Sequence, residues 1–287
     1  MPEPAPPSRA AILALAALSW SLRLLGPFRR EVGTVVGLGW YLSRSAAERL
    51  ETAAHHRRLD PSLTDRAAQR LARESHLEYA RMVFDSIAAE SMTPEQAGRR
   101  IVMRNVDRVG SDGAVVAMPH FGNWDMSASG ALASGLPITS VMAPVVTPFL
   151  TSLVAWSRRR KGVELYTPER AARGLLRALS RGRVVALMAD VPEAGPTVTV
   201  PYCGGSVLFS AAPARLAQVT GRPLLPMACW RAGGSWIVDV RPPVPVSSDD
   251  DDAAVMARVA EALEPLVRRH PEQWYPFHEV YVDESAG

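Results

Sequence analysis

The chain has 287 residues, 47% of them hydrophobic, and its 32 basic and 29 acidic side chains give a formal net charge of +3. That length and apolar share support one large core, or one core with a helical appendage. So mild a basicity excludes a dedicated nucleic-acid binder, and two cysteines without metal-ligand spacing (Cys203 and Cys229) exclude a disulfide framework and point to a reducing compartment.

Residues 1–8 are proline-rich and are expected to be disordered. Residues 10–22, AAILALAALSWSL, form an apolar run ended by Arg23. The run falls short of the ~18 residues that span a bilayer. Arg9 is a thin positive flank and no clean cleavage site follows, so a signal peptide is disfavoured. The expectation is an uncleaved amphipathic helix with Trp20 and Arg23 at a membrane interface, the alternative being an ordinary core helix. From there to about residue 100 leucine, alanine, methionine and phenylalanine recur at helical spacing between arginines and glutamates. In MTPEQAGRR, Thr93 caps a helix start, Pro94 enters its first turn and Gln96 reaches back.

After Ile101 the pattern changes. IVMR, GAVVAM, ITSVM, VELY, RVVALMA, TVTVPY, PLLPMACW and SWIVDVR read as strands. Between them, NWDMSASGALAS, TPFLTSLVAWSRRR, PERAARGLLRALS, SAAPARLAQVT and DDAAVMARVAEALEPLVRRH read as helices. The alternation predicts an α/β fold with a mostly parallel central sheet flanked by helices. Residues 101–287 would form that core. Residues 9–100 would be a helical region packed on it, a lid or a membrane-facing layer.

The run MPHFGNWDMS places His120 at the carboxyl end of a buried strand, where open α/β sheets bind ligands. Gly122 and Asn123 can turn the chain, and Asp125 then falls in the first turn of a helix. Across that corner the aspartate could hydrogen-bond one ring nitrogen of His120. The imidazole would be held in one tautomer, and its other nitrogen could take a proton from a hydroxyl. The alternative is a satisfied structural histidine beside a plain helix-start acid. His55, His56 and His76 lie on arginine-rich helical segments and are expected to be solvated, and His270 and His278 lack ligand spacing, so no metal is expected.

PHFGNWD, SRRRKGVELY, ALMADVPEAGPTVTVPYCGGSVLFSAAPARLAQVTGRPLLP and the tail RRHPEQWYPFHEVYV, in that order, resemble the bacterial lysophospholipid acyltransferase superfamily. The closer likeness is to its branch of lipid A late acyltransferases and phosphatidylinositol mannoside acyltransferases. The signature H-x-x-x-x-D/E falls on His120 and Asp125. The resemblance implies O-acyl transfer: His120 would deprotonate an acceptor hydroxyl for attack on the thioester of acyl-CoA or acyl carrier protein, with Asp125 orienting His120. It places Arg158 at the donor's phosphates or pantetheine arm. Asp190 and Glu193 fall in the third block, as candidates for binding the acceptor or supporting His120. CGGSVLFSAAPARLAQVTG would form the next loop and helix, where Gly204, Gly205 and the helix start near Ser210 could offer backbone N–H groups to a phosphate or oxyanion, the alternative being a tight turn feeding a helix.

The expected reaction moves an acyl chain to a hydroxyl of a phosphatidylinositol mannoside-like glycolipid, with no cofactor beyond the donor. Lipid A and 1-acylglycerol-3-phosphate are the alternative acceptors. The implied location is peripheral, on the cytoplasmic face of the inner membrane. A serine hydrolase is disfavoured because no serine sits in G-x-S-x-G. A non-catalytic lipid binder would leave the His120–Asp125 pair without a purpose.

Overall fold

The computed structural model describes residues 6–192 and 195–282. Five helices come first: α1 (Arg9–Leu24), α2 (Phe28–Ser43), α3 (Ala46–Leu59), α4 (Asp65–Ala88) and the short α5 (Pro94–Gly98). Side-chain caps open α1, α3, α4 and α5, while α2 follows Pro27 without one: Ser45 and Glu48 form a capping box on α3, and Thr93 and Gln96 form the expected one on α5. The remaining chain runs β1 (Ile101–Arg104), β2 (Val115–Met118), α6 (Trp124–Ala133), β3 (Ile138–Val141), α7 (Pro148–Arg160), β4 (Glu164–Tyr166), α8 (Pro168–Ser180) and β5 (Val184–Met188). It continues with β6 (Thr197–Tyr202), β7 (Gly205–Ser210), α9 (Ala212–Thr220), β8 (Leu224–Ala232), β9 (Ser235–Val240) and α10 (Asp252–Arg269).

Seven strands form one sheet in the order β1-β9-β8-β2-β5-β3-β4, parallel except where β8 and β9 pair as a hairpin. From β2 the chain crosses out to β3 and β4 and returns to β5. It then passes to β8 on the opposite side of β2. The ends of β2 and β5 therefore lie where the winding changes direction, the place where open α/β sheets bind ligands. Both faces of the sheet are covered, which is why the β2 residues Val115, Val116, Ala117 and Met118 are all buried. Val115 and Ala117 join the core shared with α8, α9 and α10, while Val116 and Met118 join the core beneath α6.

Two expectations fail. GSVLFS is strand β7, paired antiparallel with β6, and not a loop feeding a helix. Gly204 sits in the hairpin turn at φ +86, where a Cβ would come within 1.9 Å of the Arg58 carbonyl oxygen. The two glycines thus serve a tight hairpin packed on the end of α3, and their amides do not open a helix. The histidines of the helical region are buried and not solvated: His55, His56 and His76 are at most 3% exposed. His56 Nε2 meets Ser75 Oγ at 3.0 Å, and His76 lies against Trp40 and Phe277. Burial, aided by the neighbouring His55 and His76, pushes the His56 pKa down to about 3, so it is neutral at physiological pH.

The helical region is tied to the sheet by charge. Asp85 of α4, itself buried, accepts from Arg29 and Arg30 of α2 and from Arg231 of β8. The outer surface of the first two helices carries apolar side chains: Leu13, Trp20 and Leu24 of α1, and Phe28, Val35 and Leu42 of α2, are each more than half exposed. No single described helix is long and apolar enough to cross a membrane, although α1 and α2 pass that test as a pair bent by 115°. Of residues 1–8, for which disorder is expected, residues 1–5 lie outside the described residues.

Candidate active site

The β2–α6 corner is built by Phe121, Gly122 and Asn123. Gly122 adopts φ +62, and a Cβ there would meet the Cys229 carbonyl oxygen at 1.6 Å. Only glycine lets the corner lie this close to β8. Asn123, fully buried, caps α6 by accepting from the Met126 amide at 2.9 Å, and its Nδ2 donates to Ser86 Oγ at 3.0 Å. The tail closes the other side. The Gly122 amide donates to the Gln273 carbonyl at 2.9 Å, Phe121 bridges to Trp274, and the Gln273 side chain exchanges hydrogen bonds with the Arg231 backbone. The corner carrying His120 is thus clamped between β8, α4 and the PEQW segment.

His120 does not pair with Asp125. Its Nδ1 lies 2.9 Å from Asp190 Oδ1, and its backbone N–H donates to both Asp190 oxygens at 2.9 and 2.8 Å. Strand register explains the pairing. Met118 of β2 lies opposite Met188 of β5 in parallel, so the residue two beyond each strand, His120 and Asp190, arrives at the same level. The Ala189 amide extends the ladder by donating to the Met118 carbonyl at 2.8 Å. The Asp190 carboxylate is buried, with its side chain 3% exposed, while the His120 ring is 31% exposed and packs edge-on to Trp124 at 5.4 Å. An ionised carboxylate can only accept, so this contact suits the neutral tautomer that carries its proton on Nδ1 and has the lone pair on Nε2.

Asp125 meets Arg158 instead. The guanidinium Nε donates to Oδ1 at 2.8 Å and Nη2 to Oδ2 at 3.3 Å, joining the first turn of α6 to the last turn of α7. Burial pushes the Asp125 carboxyl up, but the Arg158 charge and its hydrogen bonds, with Lys161 behind, outweigh this and hold it below the usual carboxylate value. The guanidinium expected at the donor's phosphates thus meets Asp125 through Nε and Nη2. Glu193 lies outside the described residues.

Replacing Arg158 by methionine should cost about 1–3 kcal/mol at pH 7, the loss of charge-assisted bonds in a partly exposed setting. The Asp125 pKa is depressed in the folded state, so its contribution is present above the unfolded value of ~4 and is lost as pH falls through the folded value. Urea denaturation at pH 7 and below pH 4 should show the gap between wild type and variant narrowing in acid.

His120, Asp125 and Arg158 border a cavity of about 670 Å³ whose lining is otherwise largely apolar, including Met118, Trp124, Ile138, Leu187 and Met188. Its size and character fit an alkyl chain, with one titratable ring at the wall. Neither cysteine lines this cavity, and burial pushes Cys229 up to about 12 and raises Cys203 well above its ordinary value. Elsewhere, Glu51, His55 and Glu279 bring possible metal-ligand atoms within 4.8 Å of one another, but none of the three lines the cavity.

A histidine held by a buried acid at the wall of an apolar cavity can take a proton from a hydroxyl brought there on an apolar molecule. Residues 3–281 match the family described as bacterial lipid A biosynthesis acyltransferase, and the chain belongs to it. It is an acyltransferase. Among curated relatives, the phosphatidylinositol mannoside acyltransferase of Mycolicibacterium smegmatis is 28% identical over 214 residues, covering 71% of this chain and 70% of the relative. That of Mycobacterium tuberculosis is 31% identical over 167 residues, covering 57% of this chain and about half, 52%, of the relative. Among solved structures, the 1-acyl-sn-glycerophosphate acyltransferase of Thermotoga maritima aligns with a TM-score of 0.41 at 12% identity, over 90% of this chain and 97% of that one.

Proposed function

We propose that the protein transfers an acyl chain from a thioester donor, acyl-CoA or acyl carrier protein, to a hydroxyl of a phosphatidylinositol mannoside-like membrane glycolipid. The observation that carries this reading is the 2.9 Å contact between His120 Nδ1 and Asp190 at the wall of the apolar cavity. In the proposed mechanism Nε2 of His120 takes the acceptor's proton. The alkoxide oxygen attacks the thioester carbonyl, and the tetrahedral intermediate collapses with expulsion of the thiolate, which recovers the proton from His120. Asp190 holds the ring and balances the imidazolium that forms between the two transfers. The acyl chain occupies the cavity. Asp125 and Arg158 do not touch the reacting atoms in this scheme; their bridge fixes α6, and with it the corner that carries His120.

The names of the mycobacterial relatives support the mannoside acceptor over lipid A or 1-acylglycerol-3-phosphate. The purified enzyme tests the choice: with acyl-CoA as donor, kcat/KM for a mannosylated phosphatidylinositol should exceed that for a lipid A precursor or lysophosphatidate by about tenfold or more, the effect of ~1.4 kcal/mol in transition-state binding. Preference for either rival would reassign the acceptor.

The exposed apolar surface of α1 and α2 supports peripheral attachment to a membrane, proposed on its cytoplasmic face. Trp20 is 53% exposed, with the Arg23 guanidinium 4.5 Å from the centre of its ring, an arrangement suited to the lipid–water boundary. Substituting Leu13, Trp20, Leu24 and Phe28 together by serine should shift the protein from vesicle-bound to free in flotation assays. These side chains are exposed, so the fold should survive. Unchanged flotation would place the attachment surface elsewhere.

A further inference from the structure

A second concavity, of about 630 Å³, opens beside the first where β4 ends and α8 begins, and Leu165 and Ala172 line both. Its character is opposite. Arg159, Arg170, Arg173 and Arg177 line it, with Glu169 as the acid among them. Arg170, Arg173 and Arg177 lie along one exposed face of α8 at spacings of three and four, and none has a carboxylate partner among the described residues. Like charges so spaced repel one another. A bound anion removes that repulsion. Thr167, at the N-cap of α8, also lines the concavity, and its Oγ1 is buried without a hydrogen-bond partner and caps no amide. Guanidinium forks and a free hydroxyl at a helix start are the donor set that phosphate takes up.

We propose that this pocket seats a phosphate ester carried by one of the two reacting molecules. Both the nucleotide end of coenzyme A and a phosphoinositide headgroup have that chemistry. The pocket adjoins the cavity proposed for the alkyl chain, so one molecule with an apolar part and a phosphate can occupy both. The end of β4 lies three strand positions from the end of β2, roughly 14 Å at ~4.8 Å per strand, the reach of an extended arm between a phosphate and the group at His120. A concave seat of this size favours a small anion over the broad face of an acidic carrier protein. The inference rests on the acyltransferase reading only for which molecule bears the phosphate.

Calorimetric binding tests it without turnover. The probes are free coenzyme A, and vesicles of phosphatidylcholine with and without phosphatidylinositol. In the triple variant Arg170→Ala, Arg173→Ala, Arg177→Ala, at unchanged melting temperature, affinity for coenzyme A, for the phosphatidylinositol vesicles or for both should fall about tenfold or more, since each loses charge-assisted bonds. Loss on coenzyme A assigns the seat to the donor, and loss on the vesicles to the acceptor. Should the alanine variant lose its melting transition, the triple lysine variant replaces it, keeping charge and length while removing the forks; weaker binding is again expected. The proposal is overturned if wild type binds neither probe, or if the variant retains both affinities within about twofold. Binding to His120→Ala should match wild type, so a failure of the catalytic scheme would not register here.

Discussion

His120→Ala should lower kcat for acyl transfer by ~10²–10⁴-fold, the range that general-base assistance supplies. The side chain is partly exposed at the cavity wall, and its backbone N–H to Asp190 survives the substitution, so the fold should persist. Donor binding should persist too, because the loss is confined to proton transfer in the transition state. KM for both substrates should therefore stay near wild type while kcat collapses, the pattern of an interaction realised only in the transition state. Steady-state kinetics with a long-chain acyl-CoA and a mannosylated phosphatidylinositol would measure it. A variant keeping more than about a tenth of wild-type kcat would remove His120 from the role of base.

Gly122→Ala should be the most destabilising small substitution in the site. The added Cβ would sit 1.6 Å from the Cys229 carbonyl oxygen and 3.0 Å from the Trp230 Cα, and φ at this position is +62. Both obstacles are backbone of the buried strand β8, so no side-chain rotation relieves them. A positive φ alone costs ~1–2 kcal/mol for a residue with a Cβ. With the clash, the loss should reach about 4 kcal/mol or more, the range reserved for such backbone conflicts. In a domain of this size that lowers Tm by on the order of 10 °C. Any folded fraction should also lose activity, because the Gly122 bond to Gln273 and the Asn123 amide bond to Cys229 hold the His120 corner in place. A Tm within about 2 °C of wild type would show that the corner can be relaid without cost.

Much of this architecture can be read from the chain. The alternation after Ile101 yields the helices α6 to α10 and all the strands except β7. Strand β7 is hidden because Gly204 and Gly205 read as loop and an alanine-rich helix follows directly. His120 is legible because a titratable residue ends an apolar strand. Its partner is not legible from spacing along the chain. Asp125 is five residues away, but the cap at Asn123 starts α6 in a direction that delivers its carboxylate to Arg158. Asp190 is seventy residues away and becomes a neighbour only because β5 is laid beside β2. The signal available was the likeness of the two strand ends, VVAMPH and VVALMAD, which a parallel pair aligns. The buried histidines misled for a related reason. On arginine-rich helices they read as solvated, and partners from other segments bury them: Pro276 and Tyr281 at His55, Ser75 and Trp274 at His56, Trp40 and Phe277 at His76.

The central claim is that Asp190, and not Asp125, holds the catalytic imidazole. The most direct measurement is kcat for Asp190→Asn beside Asp125→Asn, each with its melting temperature. An amide at residue 190 can donate to Nδ1 and so favour the wrong tautomer, a fault that costs up to ~10⁴ in kcat where an aspartate orients a histidine base. An amide at residue 125 can still accept from Arg158 and should act mainly on stability. The account predicts kcat for Asp190→Asn at least about tenfold below that for Asp125→Asn. Equal values, or a deeper loss at Asp125, would contradict it.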